Sequence, residues 1–174
     1  MRGHAWLFAA VVAIALSGCQ INPAPSEEVT LRDDEFRPFV EYATGPTRVS
    51  SYPDRFIFHL IARVDRKTGK TSTFVSLVIA YPGRHKREYE SARNARAEVL
   101  RFYEPVRQRS CEKRVCTMTE TLMIGIPETE LRRAPPGGYQ LKVFARDGSD
   151  VLVTIPQAAI EKLLAKLGKR TPKV

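Results

Sequence analysis

A chain of 174 residues, 43% hydrophobic and 27% charged, has room for one domain with a core of its own. Its formal net charge of +9 would make nucleic acid a natural partner if the protein were intracellular. The first residues of the chain argue against that partner.

Arg2 precedes an unbroken apolar run at residues 7–16 (LFAAVVAIAL), which ends in the small residues Ser17 and Gly18. That order reads as an export signal. The run is about half of the roughly 20 apolar residues a membrane-spanning helix needs. Leu16-Ser17-Gly18-Cys19 resembles the lipobox of bacterial lipoproteins, matched at every position and set directly after the apolar run. The resemblance covers about the first twenty residues. It implies that the Cys19 thiol becomes a diacylglyceryl thioether, that residues 1–18 are removed as a signal peptide, and that the new amino terminus is acylated. Two anchoring signals already make membrane attachment stable, and a lipobox product carries more acyl chains than that. By resemblance to sorting in enteric bacteria, Gln20 rather than Asp after the cysteine favours the outer membrane; a periplasm-facing position is the favoured expectation, with the face itself left open by Gln20. The polyanions met there are phospholipid head groups, lipopolysaccharide and cell-wall polymers.

Removal of residues 1–18 leaves 156 residues, and the loss of Arg2 brings the formal charge to +8. Residues 19–26 read as a lipidated terminus and Pro-containing tether, 27–168 as a single β-rich domain, and 169–174 as a basic tail. Charge is uneven: residues 26–50 hold six acids against three arginines, and residues 84–114 hold ten Lys/Arg against five Glu.

Residues 27–50 mix acids and prolines with Val29, Leu31, Phe36, Phe39, Val40 and Tyr42, which predicts one or two short edge strands. The clearest hairpin joins residues 55–65 (RFIFHLIARVD) to 71–81 (TSTFVSLVIAY), both rich in β-branched and aromatic residues and bounded by turn signals. The period of two puts Phe56, Phe58, Leu60, Ala62 and Val64 on one face and Ile57 and Ile61 on the other, so this pair is buried on much of both sides. Residues 86–98 admit two readings: a helix with Tyr89, Ala92, Val99 and Tyr103 on one side, or extended chain leading into a second hairpin of about 97–109 with 115–126. A third hairpin pairs residues 139–145 (YQLKVFA) with 151–155 (VLVTI) around Asp147-Gly148, which supplies the positive φ of a tight turn. Ile126-Pro127 and Ile155-Pro156 each run from a strand into a proline at an apparent first helical position. The second of these opens a helix with Ile160, Leu163, Leu164 and Leu167 on one stripe, which predicts docking on the sheet. Six or seven strands in hairpins with a terminal amphipathic helix predict a mainly β fold, a small antiparallel β-sandwich, immunoglobulin-like in layout; an open sheet crossed by one helix is the alternative.

With Cys19 given to lipid, Cys111 and Cys116 in SCEKRVC form a natural pair in an oxidising compartment, and a disulfide at the turn of the second hairpin follows. Zinc would need four N/S ligands, and His59 and His85 lie at no ligand spacing from the pair. No nucleophile elbow, metal-binding HExxH helix or Gly-rich phosphate loop occurs, so neither a catalytic residue nor a cofactor is assigned. Arg84, Lys86, Arg87, Arg93 and Arg96, with Tyr81 and Tyr89 nearby, could form a surface for an anionic group, since guanidinium forks match phosphate and carboxylate. Three classes of function remain: a membrane-anchored interaction or assembly protein with another envelope protein as partner, a binding module for an anionic envelope component, and, least supported by motif, an enzyme.

Overall fold

The structure is a computed structural model that describes residues 28–51 and 53–169. The segments read from the sequence as export signal and tether, with Cys19, and most of the basic tail lie outside the described residues. Along the chain run β1 (Val29–Arg32), β2 (Phe39–Thr44), β3 (Thr47–Ser51), β4 (Asp54–Asp65), β5 (Thr71–Pro82), β6 (Tyr89–Asn94), β7 (Arg101–Glu112), β8 (Val115–Ile126), α1 (Glu128–Arg132), β9 (Tyr139–Ala145), β10 (Asp150–Ile155) and α2 (Gln157–Gly168). The fold is mainly β, in two antiparallel sheets. Seven strands form the larger, ordered β1-β2-β4-β5-β8-β7. β2 and β3 share one edge of β4, pairing with its second and first halves respectively. The smaller sheet is β10-β9-β6.

Alternation along the 12-residue strands divides the large sheet into two faces. Phe58, Leu60, Ala62 and Val64 of β4, Val75, Leu77, Ile79 and Tyr81 of β5, and Met118, Leu122, Ile124 and Ile126 of β8 turn inward. They meet Leu141, Val143, Val151, Val153 and Ile155 of the small sheet and Ile160, Leu163 and Leu167 of α2 in one core. α2 covers the β1-β2-β4 side, and β6 lies against β7 and β8, so helix and small sheet together make the second layer. A second, smaller apolar cluster closes one end of the outer face. There Ala43, Ile61 and Phe74 are buried beneath Tyr103 and Met123, with the Arg63 guanidinium over the rings of Phe39 (4.7 Å) and Phe74 (5.5 Å).

The strand count exceeds the six or seven read from the sequence: residues 29–51 hold three short strands where one or two were expected, and β6 adds another. β6 also resolves the ambiguity over residues 86–98 in favour of strand. A bulge between Tyr89 and Ser91 shifts the pairing with β9, so the buried residues fall at Tyr89, Ala92 and Asn94. The three-residue step from Tyr89 to Ala92 imitates a helical period but arises from the extra residue of a bulge. Pro127 and Pro156 occupy the N-cap rather than the first helical position: their carbonyls accept the N–H of Leu131 and Ile160 while their own backbones remain extended. α2 continues one residue past Leu167, with Gly168 its last helical residue.

Candidate functional site

Glu120 stands on the inner face of β8 between Met118 and Leu122, fully buried where the alternation calls for an apolar side chain. A buried carboxylate is stable only when charge and hydrogen bonds offset its lost hydration. Five donors surround this one. Tyr81 Oη donates at 2.6 Å, Arg107 Nε at 3.1 Å, and the backbone N–H groups of Arg87, Glu88 and Tyr89 at 3.1, 3.1 and 3.2 Å. The register explains the side chains: Arg107 lies directly across from Glu120 on β7, and Tyr81 is the inward residue two beyond its partner Ile79 on β5. The backbone donors come from the crossover into β6. Glu88 adopts φ of 60°, and the turn thus created aims three successive N–H groups at one anion.

The same crossover commits Arg87. Its guanidinium forks onto Asp54, one arm at 3.0 Å, and stacks over the Tyr81 ring at 4.2 Å. Burial by itself would raise the Glu120 pKa, but the bonds from Tyr81, Arg107 and the backbone outweigh it and hold the carboxyl below its ordinary value. Burial and the bond to Glu120 push the Tyr81 phenol well above its usual range. A general base needs an accessible lone pair and a pKa near the working pH. Glu120 offers neither, and its work is to lock the crossover between the two sheets onto β8.

A second polar network closes the far end of β6. Asn94 accepts the N–H groups of Arg96 and Glu98 on Oδ1, each at 3.0 Å, and donates to Glu98 at 2.6 Å and Glu130 at 3.2 Å. Arg96 joins Glu98 at 2.9 Å and Glu130 at 3.4 Å, and Tyr139 donates to Glu130 at 2.6 Å. Burial and that last bond raise the Tyr139 pKa. Beside these groups Arg133 and the Gly137-Gly138 loop line a cavity of about 250 Å³. The polar atoms at its wall bond chiefly to one another.

The five cations singled out in the sequence therefore do not form one surface. Arg87 is held by Asp54, Arg96 by two glutamates at the end of β6, and Arg93 lies exposed beside Lys142 of β9 in the register of the small sheet. Arg84 and Lys86 are exposed in the loop after β5. That loop adjoins the tip of the β7–β8 hairpin, where the Gly83 N–H donates to the Cys116 carbonyl at 3.0 Å. Cys111 and Cys116 face each other across the hairpin, Cα atoms 4.0 Å apart and sulfurs at bonding distance, with Lys113 and Arg114 forming the turn. Exposed Arg109 completes the group. Arg84, Lys86, Arg109, Lys113 and Arg114 make no ion pair among the described residues, and Glu112 is the one acid within the tip. Glu88 and Glu90, on the neighbouring part of the small sheet, both hold Arg146.

His59 Nδ1 lies 3.1 Å from the Thr44 carbonyl on the outer face, and His85 is exposed in the loop. Among the described residues no three His, Cys, Asp or Glu side chains gather as metal ligands. Glu120 and its donors escaped the sequence reading, as did Asp54 as the partner of Arg87. A trace was present: an acid at the parity of Met118, Leu122 and Ile124 breaks the apolar face of an otherwise regular strand. No protein-family model, curated protein or solved structure matches this chain.

Proposed function

We propose that this chain is a membrane-anchored lipoprotein of the cell envelope, acting as a non-catalytic interaction or assembly protein. The observation that carries the reading is the uncovered half of the outer sheet face. Across four strands the register aligns Ile57, Val78, Thr121 and Val106 in one row, with Arg55, Ala80, Thr119 and Gln108 in the next. Val106 is 59% exposed. A row of β-branched side chains flanked by the polar Arg55 and Gln108 suits a packed protein contact with a polar rim, and no second layer of described residues lies over it. The inward acid, in contrast, is consumed by architecture.

A photo-crosslinking residue at Thr121, in the row itself, should capture one envelope protein in stoichiometric yield. A scatter of non-specific captures would refute the reading. Attachment is tested separately: the wild type should incorporate labelled palmitate and Cys19→Ser should not, and a wild type free of palmitate would remove the anchor from the proposal. The Gln20 rule favours the outer membrane for the anchor.

A second reading, a binding module for an anionic envelope component, is favoured by the unpaired cations at the hairpin tip. Affinity of that origin weakens steeply with salt, because exposed charges are screened within about 8 Å at physiological ionic strength.

A further inference from the structure

We infer that the cationic corner formed by Arg84, Lys86, Arg109, Lys113 and Arg114 is a second membrane contact, resting on the anionic phospholipid surface that holds the amino terminus. The inference deepens the anionic-binding reading and rests on lipid attachment at Cys19.

Three observations converge. The first is charge: these five cations share one corner, and none forms an ion pair among the described residues, where Glu112 is the one acid within the tip. The second is placement. Lys113 and Arg114 form the turn of the hairpin and Arg84 and Lys86 sit in the neighbouring loop, so these charges are carried on exposed turns at one end of the large sheet. Val115 at the tip is 68% exposed and adds an apolar side chain able to enter the head-group boundary.

The third is chain direction. β1 runs antiparallel to β2, and β2 antiparallel to β4, so β1 and β4 point the same way. Val29 pairs with Thr44, whose hydroxyl accepts the Leu60 N–H, so the first strand begins level with the middle of β4 and runs away from the corner. The corner lies past the start of β4, where Pro82 pairs with Thr117. At about 3.3 Å per residue the tip lies roughly 30 Å from Val29 along the sheet. Ten residues separate Cys19 from Val29, and fully extended they span at most about 33–36 Å. An anchor on that side holds the corner at the bilayer rather than well clear of it.

Vesicle partitioning of the full-length chain tests this, in a Cys19→Ser background so that acylation is equal in every sample. Phosphatidylcholine vesicles with and without phosphatidylglycerol serve as probes. The parent should prefer the anionic vesicles. Arg84→Gln/Lys113→Gln/Arg114→Gln should lower that preference about 100-fold, at about five-fold per cation near an anionic surface, with an unchanged circular dichroism spectrum. Equal partition of the parent on both vesicles, or an undiminished preference in the triple variant, overturns the inference. So does capture of soluble lipopolysaccharide without preference for anionic vesicles. Loss of palmitate labelling in the wild type would instead remove the anchor, leaving the vesicle preference to be scored by itself.

Discussion

Arg107 and Arg109 are two residues apart on the same face of one strand, yet they belong to different parts of the molecule. Arg107 reaches across to Glu120 and donates as well to the Tyr89 carbonyl, and its side chain is 27% exposed. Arg109 stands across from Met118, is exposed, and has no ionic partner among the described residues. The difference arises in the facing strand and in the crossover above it. Where β8 supplies an acid, arginine becomes part of the interior; one register step nearer the tip, where β8 supplies a thioether, the same side chain is left for solvent or a partner. Charge on this protein is thus sorted by register, into a closed group that holds the sheets together and an open group free to bind.

The sharpest way to break the closed group is Glu120→Ala. It leaves the Arg107 guanidinium, the Tyr81 hydroxyl and three N–H groups facing a void, and should cost about 3–5 kcal/mol in denaturant unfolding. Arg107→Ala removes one donor and leaves four, and should cost about 1.5–3 kcal/mol, the range for a hydrogen bond to a charged group. It should also raise the Glu120 pKa, since Arg107 is one of the groups that depress it. Acid unfolding gives the sign. A carboxylate whose folded pKa lies below its unfolded value contributes its full stability above the unfolded pKa of about 4.3 and loses it as pH falls through the folded pKa. Wild-type stability should therefore drop more steeply than that of Glu120→Gln below about pH 4, as read from urea midpoints across the acid range.

Effects should shrink toward the tip. Cys111→Ser/Cys116→Ser should lower stability by about 2 kcal/mol, the chain entropy of so short a loop, without changing the far-ultraviolet spectrum. Arg109→Ala should leave the unfolding midpoint within about 0.5 kcal/mol of wild type, as for an unpartnered surface residue. A loss at Arg109 comparable to that at Arg107 would end the distinction between the two groups.

Much of the framework was legible because it is local. The β4–β5 hairpin matches the sequence reading to within a residue at each end, since β-branched and aromatic runs and the Asp65 turn depend on near neighbours; Asp65 accepts the N–H groups of Lys67 and Thr68 and the Thr68 hydroxyl. The third hairpin and the stripe of α2 were equally readable. β6 was not, because a bulge is a relation between two strands and distorts periodicity in one of them. Arg87 and Arg96 looked like members of a basic surface because their partners, Asp54 and Glu130, lie 33 and 34 positions away in sequence.

By itself the sequence determined a lipobox-like start, a β-rich domain with a docked terminal helix, and the proximity of two cysteines across a turn. These depend on residue type at short spacing, where backbone geometry and hydrophobic period leave few alternatives. Only the tertiary structure decided which charges are consumed. Whether a side chain is buried, and whether an opposite charge meets it, follows from strand order and register, which join residues dozens of positions apart. The step from Met118 to Glu120 on β8 separates a structural arginine from one left exposed.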